Sequence, residues 1–372
     1  ESEASWLLLV VAFTFPRKAY NSKMANFCPS SAFVTLRSHP CAGSMDPKQY
    51  GCVLLTRGVS PGFAAAQRME DDGGAPLSDE LAAAEHDAFV QKLKPHASRV
   101  ITIPPDDAQP DCVFVEDCVV ALPARGFFAC CPHPSRRGEV HPVVGAAMGV
   151  SWPDVGPMKL RGLANEKQDE LIEGGDVLYV KGGADTLHHY LVGVGNRSNA
   201  LGAQALREAL RSCATADGAL HELVDEDMLF VVHEVDMNET GWLHLKSAIT
   251  WAPNVGFVAS SIECPVLRRA LECLDGFEAT PVNKIRDPPV IVPRHAANVL
   301  ALPKVNPSPN AVVFAHPDAV DAVKARGGDA VTVIGAEQPE LARADGALTC
   351  CAVVLDPKFA WGRPRDPNYD ED

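Results

Sequence analysis

The sequence predicts an α/β fold built from repeated modules, each with several short strands and one helix. Candidate helices begin at intervals of about 60 residues, and short β-rich runs lie between them. A repeat of that length is typical of a closed array of supersecondary units, because no single module can bury its apolar face alone. Five such modules would account for most of the 372 residues, and a hydrophobic content of 47% is that of an ordinary globular protein.

The candidate helices are marked by apolar spacing and by the residues at their ends. Their starts lie near Ser78, Glu139, Ala200, Pro265 and Asp318. Pro95 should end the first helix, and Gly327 with Gly328 should end the last. Strands are predicted where β-branched and aromatic residues cluster, most clearly at 52–55, 113–115, 228–232 and 331–334.

A doubly wound nucleotide-binding sheet is the competing architecture, and its motifs are missing. No GxGxxG follows a predicted strand, since Gly193-Val194-Gly195 continues into Asn196, and the sequence contains no Walker pattern. The modular array is therefore the preferred fold class.

The first 45 residues differ in composition from the rest. Between Ala4 and Met45 there is no acidic residue, although 48 acids in 372 residues predict about 5 in a stretch of that length. The apolar run from Trp6 to Phe15 is too short to span a bilayer but fits the apolar part of a signal. The alternative is leader sequence that is not translated, with initiation at Met24 or Met45.

These features predict three parts of the chain. They are a targeting or leader segment over 1–45, a single catalytic domain over 46–357 and a polar tail over 358–372. The location would be cytoplasmic, or a plastid or mitochondrion if the first segment is a targeting peptide.

The net charge and the cysteine pattern limit the ligands and metals that the protein is expected to bind. The 33 basic against 48 acidic residues give a formal charge of -15, which opposes binding to nucleic acid or to an anionic membrane and favours cationic ligands. The twelve cysteines include the vicinal pairs Cys130-Cys131 and Cys350-Cys351 but no CxxC, so we expect free thiols and no structural zinc.

Two acidic strings are candidates for binding a cation. Asp111, Glu116 and Asp117 bracket an apolar run, and such acids are costly at the end of a buried element unless a cation meets them. Glu173 and Asp176 are separated by two glycines that let the backbone turn, so both can project toward a common point. A solvated turn and a hairpin turn are the respective structural alternatives.

His244 and Cys350 each lie in a short apolar run, where such residues are usually core. Together with a carboxylate they are also the parts of an activated-thiolate site. An ordinary cysteine is only a few per cent thiolate at neutral pH, so a histidine or a bound cation would have to stabilise the charged form.

The motifs, taken in chain order, resemble those of dimethylarginine dimethylaminohydrolase, a family of the guanidine-modifying (pentein) superfamily. The resemblance extends from about Tyr50 to Leu355. The strings that carry it are PDCVFVED (110–117), PSRRGEV (134–140), EGGDVL (173–178), LHLKS (243–247), AAN (296–298) and DGALTCC (345–351).

The resemblance implies a five-bladed α/β propeller of ββαβ modules. It implies Cys350 as nucleophile, His244 as general acid and base, and Glu173 as the acid that orients the histidine. The substrate-binding residues it implies, with Asp176 added as a fourth acid, are Asp111, Glu116, Asp117, Asp176, Arg136, Arg197 and Asp345. Of these, Arg136 and Arg197 would clamp a carboxylate, and Asp345 would lie beside a backbone contact to the substrate.

The implied activity is hydrolysis of asymmetric dimethylarginine and monomethylarginine to citrulline and an amine, with a covalent intermediate on Cys350 and neither cofactor nor metal. This activity belongs to arginine metabolism and nitric oxide regulation. An arginine deiminase or another amidine hydrolase is one alternative, and a catalytically silent protein of the same fold that binds guanidines or a protein partner is another. Whether the protein is a monomer or a homodimer stays open.

Overall fold

A computed structural model describes residues 51–68, 75–122, 126–152, 156–181, 188–216, 230–275, 287–303 and 310–356. The chain divides into two units, Glu1–Ser44 and Met45–Asp372, and every described residue belongs to the second. The predicted segments 1–45 and 358–372 lie outside the described residues, so the division of the chain into three parts stays a prediction.

The described residues form five modules of one topology, in which two antiparallel strands are followed by a helix and by a third strand parallel to the second. The first two modules contain β1 (Val53–Arg57), α1 (Asp79–Leu93) and β2 (Arg99–Ile103), then β3 (Val119–Leu122), β4 (Gly126–Ala129), α2 (Val140–Met148), the hairpin β5 (Ser151–Trp152) and β6 (Gly156–Pro157), and β7 (Lys159–Leu163).

The third module contains β8 (Val177–Lys181), β9 (His188–Val194), α3 (Ala200–Ala216) and β10 (Phe230–Asp236). The fourth contains the short helix α4 (Leu245–Ala248), then β11 (Ile249–Ala252), β12 (Gly256–Ala259), α5 (Pro265–Asp275) and β13 (Val290–Ile291). The fifth contains β14 (Leu300–Leu302), β15 (Ala311–Ala315), α6 (Pro317–Gly327) and β16 (Val331–Gly335), and is followed by α7 (Pro339–Ala342) and β17 (Val353–Leu355).

The last strand completes the first module. β17 pairs antiparallel with β1, with Leu355 opposite Val53 and Val353 opposite Leu55. The sheet order β17-β1-β2 therefore repeats the pattern of the other four modules and joins the end of the described chain to its beginning.

The apolar cores lie between neighbouring modules. The helices α1, α2, α3, α5 and α6 each contribute to a separate cluster that also contains strand residues of two adjoining modules. The first strands of the modules lie side by side, since β17 contacts β3, and β11 contacts both β8 and β14. The predicted array of five modules is confirmed.

The predicted helix boundaries agree with the structure. Ser78 caps α1 by accepting a hydrogen bond from the Leu81 N–H at 3.2 Å, and the helix gives way to a short 3-10 turn that contains Pro95. At the end of α6, Gly328 adopts φ 53°, a left-handed conformation that suits glycine.

The predicted strand at 113–115 is wrong. These residues form a turn that leads into a 3-10 helix over Val115–Cys118, and the strand begins only at Val119. The backbone groups that a strand would need are used locally and in the site, since the Phe114 N–H donates to Asp111 O at 2.9 Å and the Glu116 N–H donates to Cys350 O at 3.2 Å. The predicted strand at 228–232 begins at Phe230 within the described residues.

Each cysteine in the described parts of the chain has a free thiol, as predicted. Among the helices of those parts, none combines the length and the apolar character needed to cross a bilayer.

Candidate active site

The candidate site residues lie at one position in the repeating topology. Apart from Arg136 and Arg197, which lie between the second strand of a module and its helix, they belong to the segment that immediately precedes the first strand of a module. The five segments are 111–118 before β3, 173–176 before β8, 244–248 before β11, 294–298 before β14 and 345–352 before β17. Because the first strands lie side by side, these segments meet at one end of the central strands.

Glu173 and His244 form the closest pair of the site. His244 Nε2 lies 2.5 Å from Glu173 Oε2, and neither side chain is more than 4% exposed. Arg197 Nε donates to the same Glu173 oxygen at 2.9 Å, while the His133 N–H donates to the other oxygen at 2.9 Å. The two side chains predicted to pair are in contact, and the role of Glu173 in orienting His244 during catalysis stays a prediction.

Charge governs the titration of this pair. Burial disfavours the charged form of each group, but the hydrogen bond and charge of His244, together with Arg197, lower the pKa of Glu173. Burial likewise works against the imidazolium, yet Asp117, Glu173 and Asp176 outweigh it and raise the pKa of His244 to about 9. The raised pKa favours the protonated, imidazolium form of His244 at neutral pH.

Asp117 joins the histidine to the acidic string. Its Oδ1 accepts the Gly175 N–H at 2.9 Å and lies 3.8 Å from His244 Nε2, and its Oδ2 pairs with Arg136 at 2.6 Å. A Cβ at Gly175 would lie 2.9 Å from both the Asp117 oxygen and the His244 ring, and one at Gly174 would lie 1.9 Å from the Glu116 carbonyl. The two glycines allow this close approach of the two chain segments.

Asp176 is hydrogen-bonded to the backbone of the residue that follows His244. Its Oδ1 accepts the Leu245 N–H at 2.9 Å and its Oδ2 accepts the Ser198 hydroxyl at 2.6 Å. Burial raises the pKa of this carboxyl to about 6. Because both oxygens already accept from the protein, the predicted contact of Asp176 with substrate would have to compete with these two donors.

Glu116 faces the cysteine segment. Its Oε1 lies 2.7 Å from Lys246 Nζ, and its Oε2 accepts the Thr349 hydroxyl at 2.8 Å. The Thr349 hydroxyl and N–H in turn contact Asn298 at 3.0 Å. Burial raises the pKa of Glu116, opposed by Lys246. Lys246, Thr349 and Asn298 were not among the predicted site residues, although each lies in a string that carries the family resemblance.

The two vicinal thiols have different surroundings. Burial, then Glu116 and Asp117, raise the pKa of Cys350 well above its usual value. Cys350 is 7% exposed, whereas Cys351 is fully buried. Burial raises the pKa of Cys351 to about 12, opposed by Gln338. Of the two, Cys350 is the partly exposed thiol, and its backbone carbonyl oxygen accepts the Glu116 N–H.

The structure gives the two predicted carboxylate-binding arginines different partners. Every contact of the Arg136 guanidinium goes to the protein, with Asp117 and Glu139 as ionic partners and the Asp111 and Phe114 carbonyl oxygens as acceptors. Arg136 is 3% exposed, so its clamping of a substrate carboxylate would require exchange of one of these contacts and stays a prediction.

Arg197 is the more accessible arginine, with 12% of its side chain exposed. It lines a small cavity together with Trp242 and Leu243. Its Nη1 donates to Gln67 Oε1 at 3.3 Å, and the Gln67 N–H donates to Asp111 Oδ1 at 3.1 Å. Gln67 thus connects Arg197, predicted to clamp a carboxylate, with Asp111, a predicted substrate-binding acid, and the sequence offered no signal for Gln67.

Asp345 adopts a left-handed backbone conformation with φ 57° in the turn that follows α7. Its N–H donates to Ala342 O at 3.1 Å, and the Gly346 N–H donates to Leu341 O at 3.0 Å. This turn ends the helix and starts the segment that carries Cys350, and the substrate contact implied for Asp345 stays a prediction.

Among the described residues, two groups of side chains have ligand atoms close enough for a metal ion. One is Asp117, Glu173 and His244, and the other is a surface group formed by His295, His316 and Asp318; within each, the atoms lie within 4.8 Å of one another. The imidazolium form of His244 cannot ligate, so protonation opposes a metal in the first group. The absence of a catalytic metal stays a prediction.

The five modules and the position of the site define the class of protein. The fold is that of the guanidine-modifying (pentein) proteins, and the predicted resemblance to dimethylarginine dimethylaminohydrolase is confirmed. No protein-family model matches the sequence.

Individual relatives make the comparison specific. Dimethylarginine dimethylaminohydrolase from Pseudomonas aeruginosa, solved as a cysteine-to-serine variant with citrulline, has a TM-score of 0.58 at 19% identity and is matched over 82% of this chain and 99% of its own. The amino-terminal domain of the cyanobacterial arginine dihydrolase ArgZ, bound to product, has a TM-score of 0.55 at 16% identity over 82% and 97%.

One curated relative is similar in sequence over part of its length. N(G),N(G)-dimethylarginine dimethylaminohydrolase from Streptomyces coelicolor is 29% identical over 180 residues, which make up 47% of this chain and 55% of the relative. The match thus spans about half the length of that relative. The fold comparisons include two activities, one on methylated arginine and one on arginine, as their names state.

Proposed function

We propose that the protein hydrolyses N-omega-methylated arginines to citrulline and methylamine or dimethylamine. The observation that carries the proposal is a thiol, Cys350, beside the acids Glu116 and Asp117, with a protonated His244 held by Glu173 nearby in the same site. The names of the Streptomyces coelicolor and Pseudomonas aeruginosa relatives support a methylated substrate.

A cationic substrate would favour ionisation of the Cys350 thiol. The negative surroundings hold Cys350 in the neutral form, and a guanidinium beside Glu116 and Asp117 would offset them, lower the thiol pKa and favour the thiolate. The Asp111 and Arg197 side chains are suited to the ammonium and the carboxylate at the other end of an amino acid. A neutral ligand of the same shape would not have this effect.

The first half of the reaction forms a covalent enzyme. The Cys350 thiolate adds to the guanidinium carbon, and the His244 imidazolium donates its proton to the methylated nitrogen. The bond between the carbon and that nitrogen breaks, the neutral amine leaves, and an S-alkylthiouronium cation remains on Cys350 with a neutral His244.

The second half restores the enzyme. Neutral His244 takes a proton from water, and the resulting hydroxide adds to the thiouronium carbon. The carbon–sulfur bond then breaks, the thiolate leaves, and the remaining proton is lost as the urea group of citrulline forms. The net reaction consumes one water and releases citrulline and a protonated amine.

Hydrolysis of free arginine is the second candidate, because the fold is equally that of the arginine dihydrolase ArgZ. The two substrates differ in hydrogen-bond donors. A site built for arginine would leave acceptors unpaired around a dimethylated nitrogen, at about 1–3 kcal/mol for each lost partner. Selection between the substrates should therefore be strong in one direction.

The test is citrulline formation from asymmetric dimethylarginine, monomethylarginine, arginine and agmatine measured side by side. We expect the methylated substrates to exceed arginine by at least about 10-fold in kcat/KM, which corresponds to about 1.4 kcal/mol. Agmatine, which has no carboxylate for Arg197, should be the poorest substrate.

The Cys350→Ala protein is the control for contaminating activity in the same preparation. Faster turnover of arginine would contradict the methylarginine assignment and favour the dihydrolase. Absence of turnover on all four substrates would favour the silent binding protein.

A further inference from the structure

Asn298 lies between the segment that carries His244 and the segment that carries Cys350, and the reaction above assigns it no role. Its side-chain amide donates to the Lys246 carbonyl oxygen at 3.0 Å and to the Thr349 hydroxyl at 3.0 Å. Its amide oxygen accepts the Thr349 N–H at 3.0 Å. Lys246 is two residues after the histidine, and Thr349 directly precedes the cysteine.

The chemistry of these partners fixes the orientation of the amide. The Lys246 carbonyl can only accept, and the Thr349 N–H can only donate, so a flipped amide would lose both bonds. Both amide hydrogens are then used, one on each acceptor. Asn298 is 7% exposed, and loss of these bonds would leave buried polar groups without partners.

The same logic fixes the direction of the next hydrogen bond. The Thr349 hydroxyl has one hydrogen, and because it accepts from Asn298 that hydrogen is directed to Glu116 Oε2 at 2.8 Å. The other Glu116 oxygen meets the Lys246 ammonium at 2.7 Å. Asn298 therefore contacts both residues that hold the Glu116 carboxylate.

The segment around Asn298 is itself anchored to the fourth module. The hydroxyl of Thr250, on β11, donates to Ala297 O at 2.7 Å and accepts the Val299 N–H at 3.2 Å. Asn298 thus projects from a segment whose backbone is hydrogen-bonded on both sides. Because the backbone on both sides of Asn298 is held, its side chain can keep the two segments that it contacts at a fixed distance from each other.

We propose that Asn298 is a positioning residue that sets the separation of His244 and Cys350 and, through the Thr349 hydroxyl, the direction in which Glu116 faces the guanidinium. The inference rests on the proposed function only for the use of these residues in catalysis. It does not depend on which guanidine is the substrate.

A positioning role affects the chemical step more than binding. A misplacement of about 1 Å between reacting groups can cost about 100-fold in rate. The described side-chain hydrogen bonds of Asp111 and Arg197 are made with Gln67 and Glu173 and none with Asn298, so the amino-acid end of the substrate should still bind. We therefore expect a fall in kcat with little change in KM.

The experiment compares Asn298→Ala, Thr349→Val and the double variant. We expect each single change to lower kcat by about 30- to 300-fold with KM within threefold, and the double variant to be no worse than about threefold below the poorer single one, since both changes remove one connection. Thr349→Ser keeps the hydroxyl and should retain kcat within about threefold.

Asn165→Ala is the matched control. Asn165 caps a short 3-10 helix by accepting the Lys167 N–H at 3.0 Å, so its loss should lower the melting temperature without changing kcat. If Asn298→Ala also lowers only the melting temperature, the positioning role is overturned. If Asn298→Ala does not fold, Thr349→Val against Thr349→Ser decides: equal kcat in those two overturns the proposal.

Labelling of Cys350 by chloroacetamidine separates this inference from the proposed function, because it needs an activated thiol and no natural substrate. We expect Asn298→Ala to slow labelling at pH 7 at least 10-fold and to move the midpoint of the labelling rate to higher pH. An unchanged rate and midpoint would overturn the inference even if methylarginine were hydrolysed. Slower labelling would support it even if no methylarginine were hydrolysed.

Discussion

The histidine side and the cysteine side of the site respond to the same negative charge in opposite ways. Asp117 contributes to both. On one side it helps to raise the pKa of His244 to about 9, which favours the charged imidazolium, and on the other it helps to raise the pKa of Cys350, which favours the neutral thiol. These pKa shifts therefore favour a charged His244 and an uncharged Cys350.

The difference shows what the substrate itself must supply. A cation among these carboxylates lowers both pKa values, so it promotes formation of the thiolate and also makes the histidine a better proton donor. When the cationic substrate has become neutral citrulline, the carboxylates regain their effect and the thiol is protonated again. We propose that the charge of the substrate is in this way part of the catalytic arrangement.

The largest expected effect separates the two vicinal thiols on the cysteine side. Cys350→Ala should lower kcat by about 1000-fold or more, because no other group can form the covalent intermediate. Cys351→Ala, the matched control, should keep most of the activity. Citrulline release measures both, and an inactive Cys351 variant with an active Cys350 variant would show that the nucleophile is misassigned.

The next effect tests the histidine side. Glu173→Gln removes the negative charge that helps to hold His244 protonated, so the His244 pKa should fall from about 9 and the alkaline limb of the kcat profile should move to lower pH. We expect kcat at its optimum to fall about 100-fold.

Glu263→Gln, at an exposed position, is the control and should leave the profile unchanged. An alkaline limb that stays in place in Glu173→Gln would mean that another group sets it.

A pair of thiol reagents tests the role of substrate charge directly. Chloroacetamidine is cationic, and chloroacetamide is its neutral counterpart. We expect the cationic reagent to label Cys350 about 10- to 100-fold faster at pH 7, after correction for the ratio measured with free cysteine. Equal corrected rates would show that the thiol is activated without a bound cation.

The smallest expected effect concerns a buried histidine outside the site. His233, on β10, lies 3.0 Å from His189 on β9, and burial, then His189 and Arg207, lower its pKa to about 4. A histidine with a lowered folded-state pKa stabilises the fold above its unfolded value of about 6.5, and this contribution is lost as the pH falls from about 6.5 to 4.

His233→Gln should therefore reduce the acid loss of unfolding free energy over that range by about 1 kcal/mol, measured by urea unfolding at several pH values. His295→Gln, at an exposed position, is the control. An unchanged acid dependence in His233→Gln would show that the pair contributes nothing to it. The opposite pKa shifts of His233 and His244 would then need a cause other than the carboxylates near His244.

Local sequence patterns predicted much of the fold, whereas the roles of Cys350, His244 and Glu173 come from the family resemblance and stay predictions. Helix ends such as Ser78 and Pro95 act within a few residues, so they could be read directly. The run 113–115 has the composition of a strand, but its backbone N–H groups bond within the turn, and the next residue, Glu116, bonds to Cys350, 234 residues further along the chain. Composition does not reveal a contact at that separation.

The same limit applies to the residues that the sequence missed. Thr349 and Glu116 lie 233 residues apart in the chain, and Lys246 and Glu116 lie 130 apart. The motif strings contained these residues, but only the meeting of separate modules shows which groups they contact. Arg136 illustrates the reverse, since its motif implies a substrate contact while the fold surrounds it with Asp117 and Glu139.

The pairing of β17 with β1 also sets the order of events during synthesis. β1 begins at Val53 and β17 at Val353, 300 residues later. At about 5–20 residues per second, a ribosome needs about 15–60 s to make the chain between them. Throughout that time β1 and β2 lack their third strand, and the nascent protein has no Cys350. The segment that completes the first module also carries Cys350, the proposed nucleophile, so the proposed activity cannot begin until synthesis has nearly reached the last strand.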